Sequence, residues 1–176
     1  MEQEDLADFM KGLPDFFTAM GYTMKVEEPV YELEQIEFCQ TQPVLVGDEY
    51  RMVRQHDVAL VKDRLSLKPL DSRKTFDRMR YSVGMCGLSL CSGVPVFQEF
   101  YSMLLRGADV KRADRDKEMT GMRHLAIGME ARRAPVTDAT RASYAIALGI
   151  PIDEQLALEE EYRGIVLKYR SPFSNE

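Results

Sequence analysis

The chain offers little thiol or imidazole chemistry. Among its 176 residues there are three cysteines, Cys39, Cys86 and Cys91. An odd number without framework spacing excludes a disulfide scaffold and fits reduced thiols in a cytosolic compartment. Histidine is scarcer, His56 and His124 alone. Neither has Cys or His neighbours at zinc spacing, and Cys86-x4-Cys91 lies in a predicted helix without a partner pair, so no metal site is expected. The sequence lacks any run of about 18 apolar residues, so no membrane-spanning helix is expected. It also lacks a basic leader. Met1-Glu2-Gln3-Glu4-Asp5 is acidic, the opposite of a secretory n-region or a transit peptide. There is no basic excess: the formal net charge is −6, which argues against free nucleic-acid binding. Gly84, Gly87 and Gly93 do not follow a predicted strand, and no GK[ST] is present. A phosphate-cradling loop is therefore not expected, and close helix packing is the better use of those glycines. Internal repeats and low-complexity segments are absent.

What is present suits one packed domain, or one domain with a small appendage. A chain of this length buries roughly 70% of its unfolded surface. Leu6, Phe9, Met10, Leu13, Phe16, Phe17 and Met20 recur at helical spacing. Asp5 can cap that helix, Gly12-Leu13-Pro14 is expected to break it, and Gly21 is its natural end. Tyr22–Val26 alternates and reads as a strand. Glu37–Val46 and Glu49–Arg54 read as a hairpin around Gly47-Asp48. Beyond Pro69 the period becomes helical. Helices are expected over Ser72–Leu90 (cap Asp71 or Ser72), Val94–Leu105 (Pro95 in its first turn) and Lys117–Ala131. Two more are expected over Thr137–Leu148 (cap Thr137 or Asp138) and Asp153–Val166, separated by Gly149-Ile150-Pro151. The tail from Ser171 is expected to fray. The fold class is thus α+β: helix, strand and hairpin, then a mainly helical region, with the boundary near Lys62–Asp71. A lone hairpin is marginal in water, so the N-terminal third reads as part of a sheet whose other strands are missing.

Few residues invite chemistry. Lys25 stands on the short strand among acidic residues, where a lysine either donates a proton in a reaction or forms a surface ion pair. Arg54, Lys62 and Arg64 follow the hairpin. Such a set can clamp a triphosphate, Arg as a fork and Lys as a point charge, or form an ordinary basic surface. The stretch Arg106–Arg133 is rich in base, with Lys111, Arg112, Arg115, Lys117, Arg123 and Arg132 between its ends; such runs are commonly solvated helical faces. Glu27-Glu28 and Glu159-Glu160-Glu161 read as solvated acidic faces.

Gly21-Tyr22-Thr23-Met24-Lys25-Val26-Glu27-Glu28-Pro29-Val30, followed by Tyr31-Glu32-Leu33-Glu34-Gln35-Ile36-Glu37-Phe38-Cys39-Gln40, resembles the tombusvirus-like RNA-dependent RNA polymerases. The order matches motif D and then motif E of a right-hand polymerase palm. The resemblance continues through Met52-Val53-Arg54, Leu60-Val61-Lys62-Asp63, Thr140-Arg141-Ala142-Ser143-Tyr144 and Gly149-Ile150-Pro151. It implies that residues 1–64 are the C-terminal part of the palm and 65–176 a helical thumb. It implies that Phe38, Cys39 and Gln40 form the primer grip, the hairpin that supports the 3′ end of the growing strand. Lys25 would protonate the leaving pyrophosphate. Arg54 and Lys62 match in spacing two basic residues that contact the initiating triphosphate in flavivirus-related polymerases, with Arg64 beside them. Lys111, Arg112, Arg115 and Arg123 would be phosphate contacts that position the duplex without reading sequence.

The implied partners are template and nascent RNA, nucleoside triphosphates, the fingers and the rest of the palm, and viral or host replication proteins. The implied location is the host cytoplasm, including membrane-associated replication complexes. The Gly-Asp-Asp of motif C, the motif A aspartates and motif B are not in this sequence. Those carboxylates hold the Mg2+ or Mn2+ pair that activates the 3′ hydroxyl. The resemblance therefore implies a fragment, inactive alone, with motif C immediately upstream of Met1. The residues by themselves leave two other readings open: a free-standing α+β RNA-binding or protein-interaction module, and a small enzyme of unrecognised chemistry.

Overall fold

A computed structural model of the chain describes residues 3–66, 69–108 and 120–171. Among the described residues the fold is α+β, with seven α-helices, one 3-10 turn and one antiparallel hairpin. The chain divides into two compact units, Met1–Tyr31 and Glu32–Glu176.

In the first unit, helix α1 spans Gln3–Ala19 and runs through Pro14. The expected break is not there. An interior proline forfeits its own N–H bond, at a cost of about 3 kcal/mol, yet it can bend a helix without ending it. The apolar spacing continues on both sides of Pro14, so the helix gains by continuing. It ends at Gly21, whose φ is 84°. Gly21 N–H donates to Thr18 O at 3.0 Å and Tyr22 N–H to Phe17 O at 3.0 Å, the two bonds of a Schellman motif. Tyr22–Val26 forms no strand. A strand needs a hydrogen-bonded neighbour, and strand pairing among the described residues is confined to the hairpin and one isolated bridge.

The second unit begins with a 3-10 turn, Leu33–Gln35. Strands β1 (Thr41–Val46) and β2 (Glu49–Arg54) follow, paired from Thr41↔Arg54 to Val46↔Glu49. The loop is thus the two residues Gly47-Asp48, with Gly47 at φ 66°. Glycine supplies the positive φ that a tight hairpin turn requires. The hairpin is not left uncovered on its inner face. Leu45 N–H donates to Ser143 Oγ at 2.8 Å, which ties β1 to helix α6 (Asp138–Leu148).

Directly after β2 comes a short helix that the sequence pattern does not announce, α2 (His56–Lys62). Val58 and Val61 favour a strand locally, but the buried Ala59 and Leu60 require a helical face toward the core. Helix α3 (Arg73–Leu90) starts as expected at Ser72, whose Oγ accepts from Thr75 N–H at 3.2 Å. Helix α4 spans Phe97–Leu105, later than the expected Val94. Pro95–Val96–Phe97 first makes a tight turn, with Val96 at φ 64°, ψ −55° and Phe97 N–H donating to Pro95 O at 2.6 Å. This is the geometry of a γ-turn of the rare, strained kind. Helix α5 is described over Thr120–Leu125, ending short of Ala131. Thr137 caps α6 by accepting from Thr140 N–H at 3.1 Å, and Gly149 at φ 70° ends it. Helix α7 (Ile152–Gly164) completes the set; Arg106 donates to the carbonyls of Tyr162, Arg163 and Ile165 at its C-terminal end.

The helices α3 and α4 pack at very short range, and glycine makes this feasible. A methyl added at Gly87 would lie 2.1 Å from the Tyr101 ring, and one at Gly84 2.8 Å from Leu105 Cγ. The expectation of close helix packing holds for these two. Gly93, at φ 77°, serves a turn instead. Gly87→Ala is therefore expected to destabilise the chain by about 2–3 kcal/mol, the cost of overpacking a tight core. Urea unfolding followed by circular dichroism measures this, and an unchanged midpoint would refute the packing described.

Candidate functional site

The most exposed part of the hairpin is its approach. Phe38 N–H donates to Thr41 O at 2.9 Å and Thr41 N–H to Phe38 O at 3.0 Å. The two residues between them, Cys39 (φ 52°) and Gln40 (φ 61°), both have positive φ. This is a two-residue turn of the primed type, built without glycine. Non-glycine residues there cost roughly 1–2 kcal/mol each. Local bonds offset that cost: Thr41 Oγ1 donates to Phe38 O at 2.5 Å, and Gln55 N–H donates to Gln40 O at 2.9 Å. The result is a turn that presents Phe38, Cys39 and Gln40 to solvent, with Phe38 68% exposed. Extending the expected strand back to Glu37 hides this feature, since β1 starts only at Thr41.

Behind the turn, Glu34 is buried, and its side-chain bonds among the described residues come from neutral hydroxyls. Its Oε1 accepts from Ser143 Oγ at 2.8 Å and from Tyr50 Oη at 3.2 Å. Burial, and then the charge of Glu34, push the Tyr50 hydroxyl above its ordinary value.

At the far end of β2, Arg54 points inward. Its Nη1 donates to Asp63 Oδ1 at 3.1 Å and its Nη2 to Asp63 Oδ2 at 2.5 Å. Nη2 also donates to Tyr101 Oη at 3.0 Å, and that hydroxyl donates to Asp63 Oδ2 at 2.6 Å. Burial opposes the Arg54 charge, but the Asp63 hydrogen bond together with the nearby Asp63, Tyr101 and Cys91 charges holds the guanidinium above its ordinary value. Burial first, and then nearby groups including Asp63, raise the Tyr101 hydroxyl far above its ordinary range. Lys62 and Arg64 are exposed; Arg64 Nε donates to Leu60 O at 2.7 Å. Arg54, Lys62 and Arg64 thus lie close along the chain, but Arg54 is engaged by a buried carboxylate while the other two face solvent.

Lys25 belongs to the first unit. Its ammonium is highly exposed and pairs with Glu27 at 3.6 Å. Arg123 is exposed in the last turn of α5. Lys111, Arg112 and Arg115 lie outside the described residues. The base-rich run is not one solvated face. Arg106 turns onto α7, and Arg133 forms a forked pair with the buried Glu99 of α4.

Glu159 likewise departs from the expected solvated face. It is buried, accepts from Arg141 through both oxygens at 2.9 Å, and accepts from Val96 N–H at 3.0 Å. Arg163 bridges Glu99 and Glu159 at 3.4 and 3.2 Å. Charge runs in sequence cannot reveal such pairings, because the partners come from distant segments. Among the described residues, no three His, Cys, Asp or Glu side chains gather as metal donors.

A viral RNA-dependent RNA polymerase family model matches residues 1–170, and the chain belongs to that family. It is 38% identical over 179 residues to the RNA-directed RNA polymerase of oat chlorotic stunt virus, covering 95% of this chain and 24% of that protein. It is 38% identical over 145 residues to that of maize chlorotic mottle virus, covering 81% and 15% respectively. It is 36% identical over 163 residues to that of tobacco necrosis virus, covering 92% and 22%. The chain thus spans about a quarter or less of the length of these relatives. No solved structure matches it. Among the described residues no helix is long and apolar enough to cross a membrane.

The buried carboxylates make one testable statement about pH. Burial raises the affinity of Glu99 and Glu159 for protons, but Arg133 with Arg163 at Glu99, and Arg141 with the Val96 amide and Arg163 at Glu159, together hold both below the ordinary carboxylate value. A depressed carboxylate stabilises the fold fully above its unfolded value, near about 4.3, and this is lost as pH falls through the lower folded value. Urea midpoints measured from pH 7 downward should therefore fall on the acid side. The double variant Glu99→Gln/Glu159→Gln should be less stable at pH 7 and should lose less on acidification. An equal slope in both proteins would refute this.

Proposed function

We propose that this chain is the end of the palm and the thumb of a viral RNA-directed RNA polymerase, with residues 1–64 contributing to the palm and 65–176 forming the thumb. The observation that carries the reading is the exposed Phe38–Cys39–Gln40 turn. It sits where the motif E resemblance falls, is fixed by backbone bonds on both sides, and leads into a hairpin whose Leu45 and Arg54 bond to Ser143 of α6 and Tyr101 of α4. A stiff turn at the start of an anchored hairpin is what a support for the 3′ end of a growing strand requires. Held geometry is how polymerases gain rate, because phosphoryl transfer depends chiefly on positioning and electrostatics.

Lys62 and Arg64, with the exposed part of Arg54, form the contact for the initiating triphosphate. Lys25 serves as proton donor to the leaving pyrophosphate. Arg123, with Lys111, Arg112 and Arg115, contacts phosphates of the duplex. Mg2+ or Mn2+ belongs to the rest of the polymerase, with the fingers and the central palm. The substrates are nucleoside triphosphates and an RNA template, and the setting is the host cytoplasm or its membrane-associated replication complexes, with viral or host replication proteins as partners.

The test uses a complete polymerase carrying this chain. Arg54→Ala/Lys62→Ala should lower primer-independent initiation by about tenfold or more while primed elongation stays within about twofold, the pattern of lost ground-state binding of one nucleotide. Equal losses in both assays would refute the triphosphate role. In the same enzyme Lys25→Ala should slow single-nucleotide incorporation and shift its pH profile; an unchanged rate would remove Lys25 from the mechanism.

A further inference from the structure

We propose that Asp63 and Tyr101 are positioning residues for Arg54, presetting its guanidinium for the triphosphate of the initiating nucleotide; this rests on the reading of Arg54 as a contact for the initiating triphosphate. Three observations carry it. First, Arg54 is held in a fork, with Nη1 and Nη2 on the two Asp63 oxygens at 3.1 and 2.5 Å. Second, the Tyr101 hydroxyl closes the triangle, accepting from Arg54 at 3.0 Å and donating to Asp63 at 2.6 Å. Third, the burial is uneven. The Asp63 side chain is 6% exposed, whereas that of Arg54 is 33% exposed. The guanidinium is therefore held by a buried carboxylate while part of the Arg54 side chain reaches solvent.

The chemistry follows from the donor count. A guanidinium has five N–H donors and no acceptor. Three are committed here, one to each Asp63 oxygen and one to Tyr101. The other two, Nε–H and the second Nη1–H, take no bond among the described residues, and each can donate singly to an anion. Asp63 neutralises one positive charge, but Lys62 and Arg64 flank it in sequence, so residues 54–64 keep a net charge of +1, from three cations and the carboxylates of Asp57 and Asp63. A long, flexible side chain normally loses rotamer freedom when it binds a ligand. Arg54 has already lost it, because Tyr101 is fully buried and Asp63 nearly so. Preorganisation of this kind strengthens binding without adding a contact.

The experiment compares Arg54→Ala, Asp63→Asn and Tyr101→Phe in a complete polymerase carrying this chain, measuring KM and kcat for GTP or ATP as the initiating nucleotide. Asp63→Asn should raise that KM about tenfold and Tyr101→Phe about threefold, with kcat for initiation within about twofold. Loss of fold alone would lower kcat and active fraction without such a KM split. Tyr101→Phe keeps the ring in its slot against Gly87, so it decides the matter if Asp63→Asn fails to fold. If Arg54→Ala raises the KM but the other two do not, positioning is overturned and the Arg54 contact stands. If Arg54→Ala leaves the KM unchanged, the Arg54 contact itself fails. A fall in KM for Asp63→Asn would mean that the carboxylate competes with phosphate, which also overturns the proposal.

Discussion

The second unit depends on one side chain, Tyr101. Its ring occupies the space that a side chain at position 87 would need, so α3 and α4 can approach closely only because Gly87 is there. Its hydroxyl, at the other end, joins Asp63 at the end of α2 to Arg54 at the end of β2. A single buried residue thus ties the hairpin to two helices and sets the distance between α3 and α4. Tyrosine suits the task, since its body contributes apolar area and its tip a directional bond.

Around that point, buried carboxylates do much of the joining. Glu34 receives Ser143 and Tyr50, Asp63 receives Arg54 and Tyr101, Glu99 receives Arg133 and Arg163, and Glu159 receives Arg141, Arg163 and the Val96 amide. Buried charges that lose a partner are costly, so each pairing strongly disfavours alternative packings. The two places of backbone strain among the described residues sit on this frame. Val96 is held by Glu159, and the Cys39-Gln40 turn is closed by Gln55 and Thr41. Strain persists only where surrounding structure imposes it, and at the hairpin it produces an exposed, fixed turn.

Local chemistry was readable in the sequence. Gly47-Asp48, the caps Ser72 and Thr137, and the helix ends at Gly21 and Gly149 all behave as their residue types require, because each acts over a few positions. The α+β class follows from the same signals, as does the family from the motif D to motif E block. Long-range pairing was not readable. The bond from Leu45 to Ser143 spans 98 residues, that from Val96 to Glu159 spans 63, and that from Arg54 to Tyr101 spans 47. Such partners convert Glu159 from a surface acid into a buried anchor, and Arg54 from a surface base into half of a fork. The same limit applies to α2, whose valines favour a strand until Ala59 and Leu60 meet the core. A strand at Tyr22–Val26 was legible as alternation alone, and alternation does not supply a neighbour.

The most direct measurement is photocrosslinking of a primer that carries 4-thiouridine at its 3′ terminus to a complete polymerase containing this chain, with adducts mapped by mass spectrometry. A support for the growing end at the fixed turn requires adducts at Phe38, Cys39 or Gln40. Adducts elsewhere in the polymerase, with none at these three residues, would contradict it.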